Sequence, residues 1–252
     1  MVYQLAVNWI TSMTEPCRRR LKPAGQFDQP RDGTSKMITC IPELLTPEET
    51  ARLRALSKNA DYESGTATAG KRIHDIKNNL QMKDGSVGQQ EVHQVLGVAL
   101  QRNPLFQSVA LPKVIFPPTL SRYSDGMTYG SHVDAAIMGN MRVDISITVF
   151  LNEPDSYEGG ALILESGAGE QLVKLPPGHA VVYPTGVFHR VSPVTHGERL
   201  AAVTWIQSAV RNAEQRAVLH DLRTAIDQLD DEETIPLLVK THANLLRMWT
   251  DI

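Results

Sequence analysis

The chain has 252 residues, 42% of them hydrophobic, enough for one sizeable core. A net charge of -3 and a pI near 6.2 exclude the basic surface that a nucleic-acid partner requires. Two cysteines (Cys17 and Cys40) make no disulfide framework, no apolar run approaches the ~20 residues that span a bilayer, and Met1 to Ile10 has no positive charge before its apolar stretch; together these point to a cytoplasmic protein with no membrane partner.

Residues 1–36 contain Arg18-Arg19-Arg20 and a polar stretch from Gln26 to Lys36, with no period of 2 or 3.6. Such composition cannot bury a core, so the segment reads as a disordered extension or an overlong start before Met37. Residues 37–110 read as a support region. A short strand falls at Ile38–Ile41, and Thr46-Pro47-Glu48-Glu49 opens a helix with Thr46 as N-cap and Glu49 three residues on. A second helix is predicted from Gly88 to Arg102, with Val92, Val95, Leu96 and Leu100 on one stripe.

From 111 to 209 the texture becomes β-like. Short runs at Lys113–Phe116, Leu120–Tyr123, Met127–Val133, Arg142–Leu151, Ala161–Glu165, Gln171–Leu175, Ala180–Tyr183, Arg190–Val194 and Leu200–Ser208 are separated by Gly, Pro, Asn and Asp. Many short strands with regular turn signals predict a mostly β fold, a sandwich or jelly roll with flanking helices. Residues 210–252 turn helical again, with apolar stripes at Ala213, Ala217, Leu222, Ile226 and Leu229 and then at Leu238, Leu245, Leu246 and Trp249. These helices either cover one face of the barrel or make a homodimer contact.

His132-Val133-Asp134 ends one of the β-like runs. On a strand, residues i and i+2 point to the same face, so one imidazole and one carboxylate can grip one ion. His189 opens a later run. Two histidines and a carboxylate on one side of a metal leave three positions open, the arrangement of non-haem iron(II) oxygenases. Open positions let the metal take a keto acid through two oxygens and still accept O₂. The far carboxylate of such a co-substrate needs a counter-ion, and Arg199 at the start of Leu200–Ser208 supplies one. Antiparallel neighbouring strands joined through Thr195-His196-Gly197 would bring His189 and Arg199 into one pocket. An H-x-D triplet alone is a weak signal in a chain with eight histidines; the distal His189, Arg199 and the strand-rich setting strengthen it.

Two groups of residues stand beside this set. Arg142–Phe150 alternates, with Val143, Ile145, Ile147 and Val149 on one face and Ser146, Thr148 and Phe150 on the other. The second face is expected inside the barrel near the co-substrate, giving Thr148 a binding role. Tyr123 and Tyr129 flank the metal strand; Tyr123 is a candidate co-substrate ligand, and Tyr129 reads equally well as a packed aromatic. His196 and His179 fall in turns, and His220 and His242 fall on helices, where exposure is the default.

The runs Arg122-Tyr123, Gly126, Tyr129, His132-Val133-Asp134 and His189-Arg190-Val191, Pro193-Val194, Gly197, Arg199 resemble the prolyl 4-hydroxylase-like oxygenases. The likeness is closest to the bacterial PKHD-type hydroxylases (prolyl/lysyl hydroxylase domain) and spans about residues 37–235. Arg142 to Leu151, Tyr157-Glu158-Gly159-Gly160, Val182-Tyr183-Pro184 and Trp205-Ile206-Gln207-Ser208 support it. The resemblance implies a double-stranded β-helix, iron(II), 2-oxoglutarate, O₂ and L-ascorbate. It implies hydroxylation of a C–H bond of a small-molecule or peptide substrate, with decarboxylation of 2-oxoglutarate to succinate. Much of the prolyl hydroxylase group has Lys where this chain has Arg199; either cation can pair with a carboxylate. The competing readings are a non-catalytic cupin-like iron- or ligand-binding module linked to iron homeostasis and a zinc hydrolase. A pure metal sensor has no need of Arg199, and no general base stands beside the triad. The loops Ala135–Asn140 and Lys71–Asp84 are expected to select the substrate.

Overall fold

The alternating middle of the chain forms two antiparallel sheets that face each other. The computed structural model describes residues 38–68, 74–167 and 169–251, so the extension expected over 1–36 and part of the Lys71–Asp84 loop lie outside it. The larger sheet has eight strands. In spatial order they are Thr39–Ile41 (β1), Ala180–Pro184 (β14), Ile145–Phe150 (β10), Arg199–Ser208 (β17), Thr119–Tyr123 (β6), Leu80–Met82 (β4) and Tyr62–Ser64 (β2). Pro112–Ile115 (β5) pairs with the far end of β17. The smaller sheet has five strands: Gly169–Val173 (β13), Leu162–Ser166 (β12), His189–Val191 (β15), Thr128–His132 (β7) and Lys77–Asn78 (β3). Two small ribbons complete it, Ile137–Met138 (β8) with Met141–Arg142 (β9) and Tyr157–Gly159 (β11) with Val194–Gly197 (β16).

All six residues of β10 are buried. Its two faces serve different cores, as period-2 geometry requires. Ile145, Ile147 and Val149 join Leu53, Leu96, Leu100 and Phe106 in a core between the large sheet and the helices. Phe150, with Tyr123, Val181 and Tyr183, meets Leu162, Leu164, Val173 and Val191 of the small sheet in a second core. Ser146 and Thr148 lie on that second side, which agrees with the expected inward face.

The helices follow their sequence signals. Pro47–Asn59 (α1) begins with a complete capping box: Glu49 N donates to Thr46 Oγ1 at 3.2 Å, and Thr46 N donates to Glu49 Oε2 at 2.9 Å. Gln89–Arg102 (α2) buries Val92, Leu96, Ala99 and Leu100. Pro104–Ala110 (α3) adds a helix that the sequence reading did not single out; Asn103 caps it through a 2.9 Å bond from Phe106 N. At the C-terminal end Ala213–Gln228 (α4) buries Leu219 and Ile226, whereas Ile235–Trp249 (α5) buries no residue fully. No helix of the described residues is long and apolar enough to cross a membrane.

Three local expectations need correction. The run Arg190–Val194 is broken into β15 and β16, because Pro193 has no N–H for the ladder. Its carbonyl instead packs on Gly159 at φ +67°, where an added Cβ would lie 1.9 Å from the oxygen. Consequently His189 and Arg199 are not on paired strands: β15 pairs with β12 and β7, and β17 pairs with β10, β6 and β5. Finally, His220 is half-buried and bonded to Ser108 Oγ at 2.8 Å, and His196 is exposed but lies within β16.

Candidate metal centre

The smaller sheet sets the positions of the candidate metal ligands. His132 ends β7 and His189 begins β15, and the two are directly opposed in the antiparallel register. Directly opposed side chains on one sheet face touch. Their ring centroids are 4.3 Å apart. Asp134 follows two residues after His132, with a carboxylate oxygen 3.8 Å from His132 Nε2 and another 3.6 Å from His189 Nε2. One ligand atom from each of the three lies within 4.8 Å of the others. Two donors each about 2.1 Å from one ion lie up to about 4.2 Å apart, so both carboxylate–imidazole separations fall within the span of a shared metal.

The groups that touch these donors set their orientation and charge. Each imidazole is held by the carbonyl two residues before it: His132 Nδ1 donates to Gly130 O at 2.8 Å, and His189 Nδ1 donates to Val187 O at 2.9 Å. Those bonds fix the tautomer and leave both Nε2 lone pairs free to bind metal. Burial holds His132 down to about 4, with neighbouring His189 acting in the same direction, so it is neutral near pH 7. Asp134 is oriented by Ser146 of β10, whose Oγ donates to Oδ2 at 2.5 Å. Tyr129 stacks on the His132 ring at 3.7 Å, and Tyr183 meets His189 edge-on at 5.1 Å. Burial raises the phenols of Tyr129 and Tyr183, with the Asp134 charge adding to it.

Arg199 enters from the larger sheet, opposite Tyr123 in the β17–β6 register. It is 2% exposed, its Nε has no hydrogen-bond partner, and no carboxylate of the described residues forms an ion pair with it. The rings of Tyr123 and Phe150 flank the guanidinium at 5.1 and 5.5 Å. A buried cation without a counter-ion is costly. A cavity of about 80 Å³ joins it to the triad; His132, Asp134, His189, Tyr123, Thr148 and Arg199 all line it. The structure therefore brings together every site residue expected from sequence.

A 2OG-Fe(II) oxygenase superfamily profile matches residues 118–207, a stretch that contains the triad and Arg199. A PKHD-type hydroxylase of Paraburkholderia phymatum is 45% identical over 226 residues, covering 85% of this chain and 100% of the relative. The chain belongs to the PKHD-type hydroxylases. A second relative of that family, from a Synechococcus strain, is 42% identical over 224 residues, covering 86% of this chain and all of its own. The hydroxylase is thus an iron(II)- and 2-oxoglutarate-dependent dioxygenase. Its fold agrees with the crystal structure of a 2OG-Fe(II) oxygenase-family oxidoreductase from Burkholderia pseudomallei. That likeness has a TM-score of 0.53 at 18% identity, covering 67% of this chain and 84% of the other.

The donor set fits the metal that the family implies, since two imidazoles and a carboxylate suit iron(II). The Lys71–Asp84 segment, expected to select the substrate, contributes Lys77, Asn79 and Gln81 to the inner cavity, although none of the three was singled out. Lys77 and Gln81 lie on two- and three-residue strands, with Asn79 between them, and such strands are too short to carry a period. Lys77 is 8% exposed; its Nζ donates to Gln81 Oε1 at 3.4 Å and lies 5.2 Å from the Tyr129 ring centre. Burial pulls its ammonium down to about 8, and Asp134 partly opposes this. A larger outer cavity of about 490 Å³ shares Lys77, Gln81, Tyr129, His132, Asp134 and Trp205 with the inner one.

Proposed function

We propose that His132, Asp134 and His189 hold iron(II), that Arg199 holds the far carboxylate of 2-oxoglutarate, and that the enzyme hydroxylates a C–H bond of an amino-acid or peptide substrate while 2-oxoglutarate is converted to succinate. The observation that carries this reading is the pairing within one cavity of three convergent metal donors with a buried, counter-ion-free guanidinium. When bound, iron(II) supplies the oxidative chemistry, and the protein supplies orientation and charge.

Each side chain then has a defined task. The Gly130 and Val187 carbonyls keep protons on Nδ1 of the two histidines, so both Nε2 atoms face the metal. Ser146 keeps the Asp134 carboxylate turned toward the imidazoles. Arg199 offers a planar fork to a carboxylate, and the Tyr123 and Phe150 rings exclude water around it. Tyr123 and Thr148, which line the same cavity, would help to hold the co-substrate. L-Ascorbate is the reductant assigned to keep the iron ferrous.

The test separates metal, co-substrate and turnover. Iron(II) and 2-oxoglutarate binding are titrated without oxygen, and succinate release is then followed after oxygen is admitted. Tight iron binding that survives His132→Ala, Asp134→Ala and His189→Ala, or a wild type that never releases succinate, would overturn the proposal.

A further inference from the structure

Two of the three metal donors share one support. His132 is held from within its own strand, by the Gly130 carbonyl. Asp134 and His189 are held instead by the turn over residues 184–187, which joins β14 to β15. Thr185 O accepts the Asp134 N–H at 3.3 Å, and Val187 O accepts His189 Nδ1–H at 2.9 Å. Val187 N closes the turn by donating to Pro184 O at 3.1 Å. A displacement of this turn therefore moves both donors together, while His132 stays on β7.

Thr185 ties the turn to the rest of the fold. It is 7% exposed and lines neither the inner nor the outer cavity. Its Oγ1 donates to Val143 O at 2.9 Å in a buried bond, and its N–H donates to Asp144 O at 3.2 Å. Those carbonyls stand just before β10, and Asp144 is itself fixed. Its carboxylate accepts two bonds from Arg142, at 2.8 and 3.0 Å, and one from Ser208 N at 2.9 Å. Ser146, two residues further along, orients the Asp134 carboxylate. The backbone and the side chain of Asp134 are thus both referred to residues 143–146. The branched Cβ of a threonine restricts its rotamers, so the hydroxyl is presented in a defined direction.

Resting on the metal assignment above, we infer that Thr185 is a positioning residue for the metal centre: its hydroxyl bond to Val143 O holds the 184–187 turn where Asp134 and His189 converge on one ion with His132. Thr185 acts through the two carbonyls of its turn and touches no ligand atom itself. Groups that orient metal ligands in this way are worth about 10–100-fold in metal affinity.

The test uses full-length protein and manganese(II) alone, so that neither co-substrate nor turnover enters. Competition with a chelator gives the affinity, and the electron paramagnetic resonance lines of the bound ion report how uniformly its ligands are held. Thr185→Val keeps the branched shape and removes the donor. It is expected to bind manganese about tenfold or more weakly than wild type and to broaden the lines. Thr185→Ser keeps the donor and should restore most of both. Thr185→Ala, which adds no bulk, is read in the same way as Thr185→Val and guards against a valine variant that fails to fold. Thr46→Ala, in the α1 cap, is the control for lost stability alone and should leave both readouts at the wild-type level. The inference is overturned if removing the hydroxyl leaves affinity and lines unchanged, if Thr185→Ser loses as much as Thr185→Val, or if Thr46→Ala loses affinity to the same extent. Failure of the wild type to bind manganese at the outset would instead remove the underlying assignment, and this inference with it.

Discussion

Replacing Arg199 with Met should make the metal-free enzyme more stable and nearly blind to 2-oxoglutarate. The guanidinium is 2% exposed and has no counter-ion among the described residues. Exchanging buried charge for an apolar side chain of similar volume is often stabilising by about 1–4 kcal/mol. Loss of cation–π contact with Tyr123 and Phe150 offsets part of this, since such contacts are worth roughly 0.5–1 kcal/mol at exposed sites and about 2 kcal/mol when desolvated, as here. A net gain of about 1–2 kcal/mol raises Tm by roughly 2–8 °C for a domain of this size. Co-substrate binding moves the other way. Leaving a buried carboxylate unpaired costs about 3–5 kcal/mol, or two to three orders of magnitude or more in affinity. Wild type loaded with manganese(II), at a 2-oxoglutarate concentration of about 100 Kd, should gain about 2.7 kcal/mol; the variant at the same concentration should gain about 0.4 kcal/mol or less. Thermal unfolding with and without 2-oxoglutarate reads both effects. A variant less stable than wild type without ligand, yet still shifted by 2-oxoglutarate as wild type is, would refute the reasoning.

Further outcomes follow from the same geometry. His132→Ala, Asp134→Ala and His189→Ala should each abolish tight iron(II) binding in anaerobic titration, because three ligands leave no redundancy. Ser146→Ala leaves the donors in place but removes the 2.5 Å bond that orients Asp134; metal affinity should fall about 10–100-fold by competition with a chelator. The metal-free protein should lose stability as pH falls from about 6.5 to about 4, because His132 has a lowered folded value and the unfolded chain binds more protons across that window. Denaturant unfolding at several pH values measures the slope, and His132→Gln should flatten it. Thr46→Ala breaks the α1 capping box and should cost about 1 kcal/mol in the same assay, with metal affinity unchanged.

What the sequence revealed depended on how local the cause was. The α1 boundary was legible because Thr46, Pro47 and Glu49 form a self-contained cap. His132 and Asp134 were legible as partners because strand geometry alone puts them on one face. The inward face of β10 could be read from its alternation, and the resemblance supplied the fold. The helix Pro104–Ala110 carried a signal, Asn103 followed by proline, but its seven residues are too few to show a period. His220 was misjudged because its partner, Ser108, is remote in sequence. Arg199 does share the cavity of the triad, but by a route other than the expected one. It meets the triad across the gap between two sheets and not across a hairpin, and that crossing is a property of the topology. Lys77 was hidden for a similar reason: β3 has two residues, and its place in the site comes from pairing with β7.

The two sheets divide the binding task between them. The larger sheet contributes Arg199, Tyr123 and Thr148, all on the inner cavity. The smaller sheet contributes His132, His189 and Lys77, so the metal centre and the cation that faces the outer cavity share one backbone ladder through β15, β7 and β3. The inner space of about 80 Å³ is narrow and ends on a fixed positive charge, which suits a small dicarboxylate of constant structure. The outer space of about 490 Å³ falls in the usual range for small-molecule sites, roughly 300–1,000 Å³, and Met82, Met138, Phe116 and Trp205 give it an adaptable apolar wall. Residues common to both spaces, Tyr129 and Trp205 among them, sit where the two spaces meet. A change in the outer wall can thus alter substrate choice while Arg199 and its aromatic surround remain untouched. The converse does not hold for His132 and Asp134, which border both spaces and couple any change there to metal, co-substrate and substrate together.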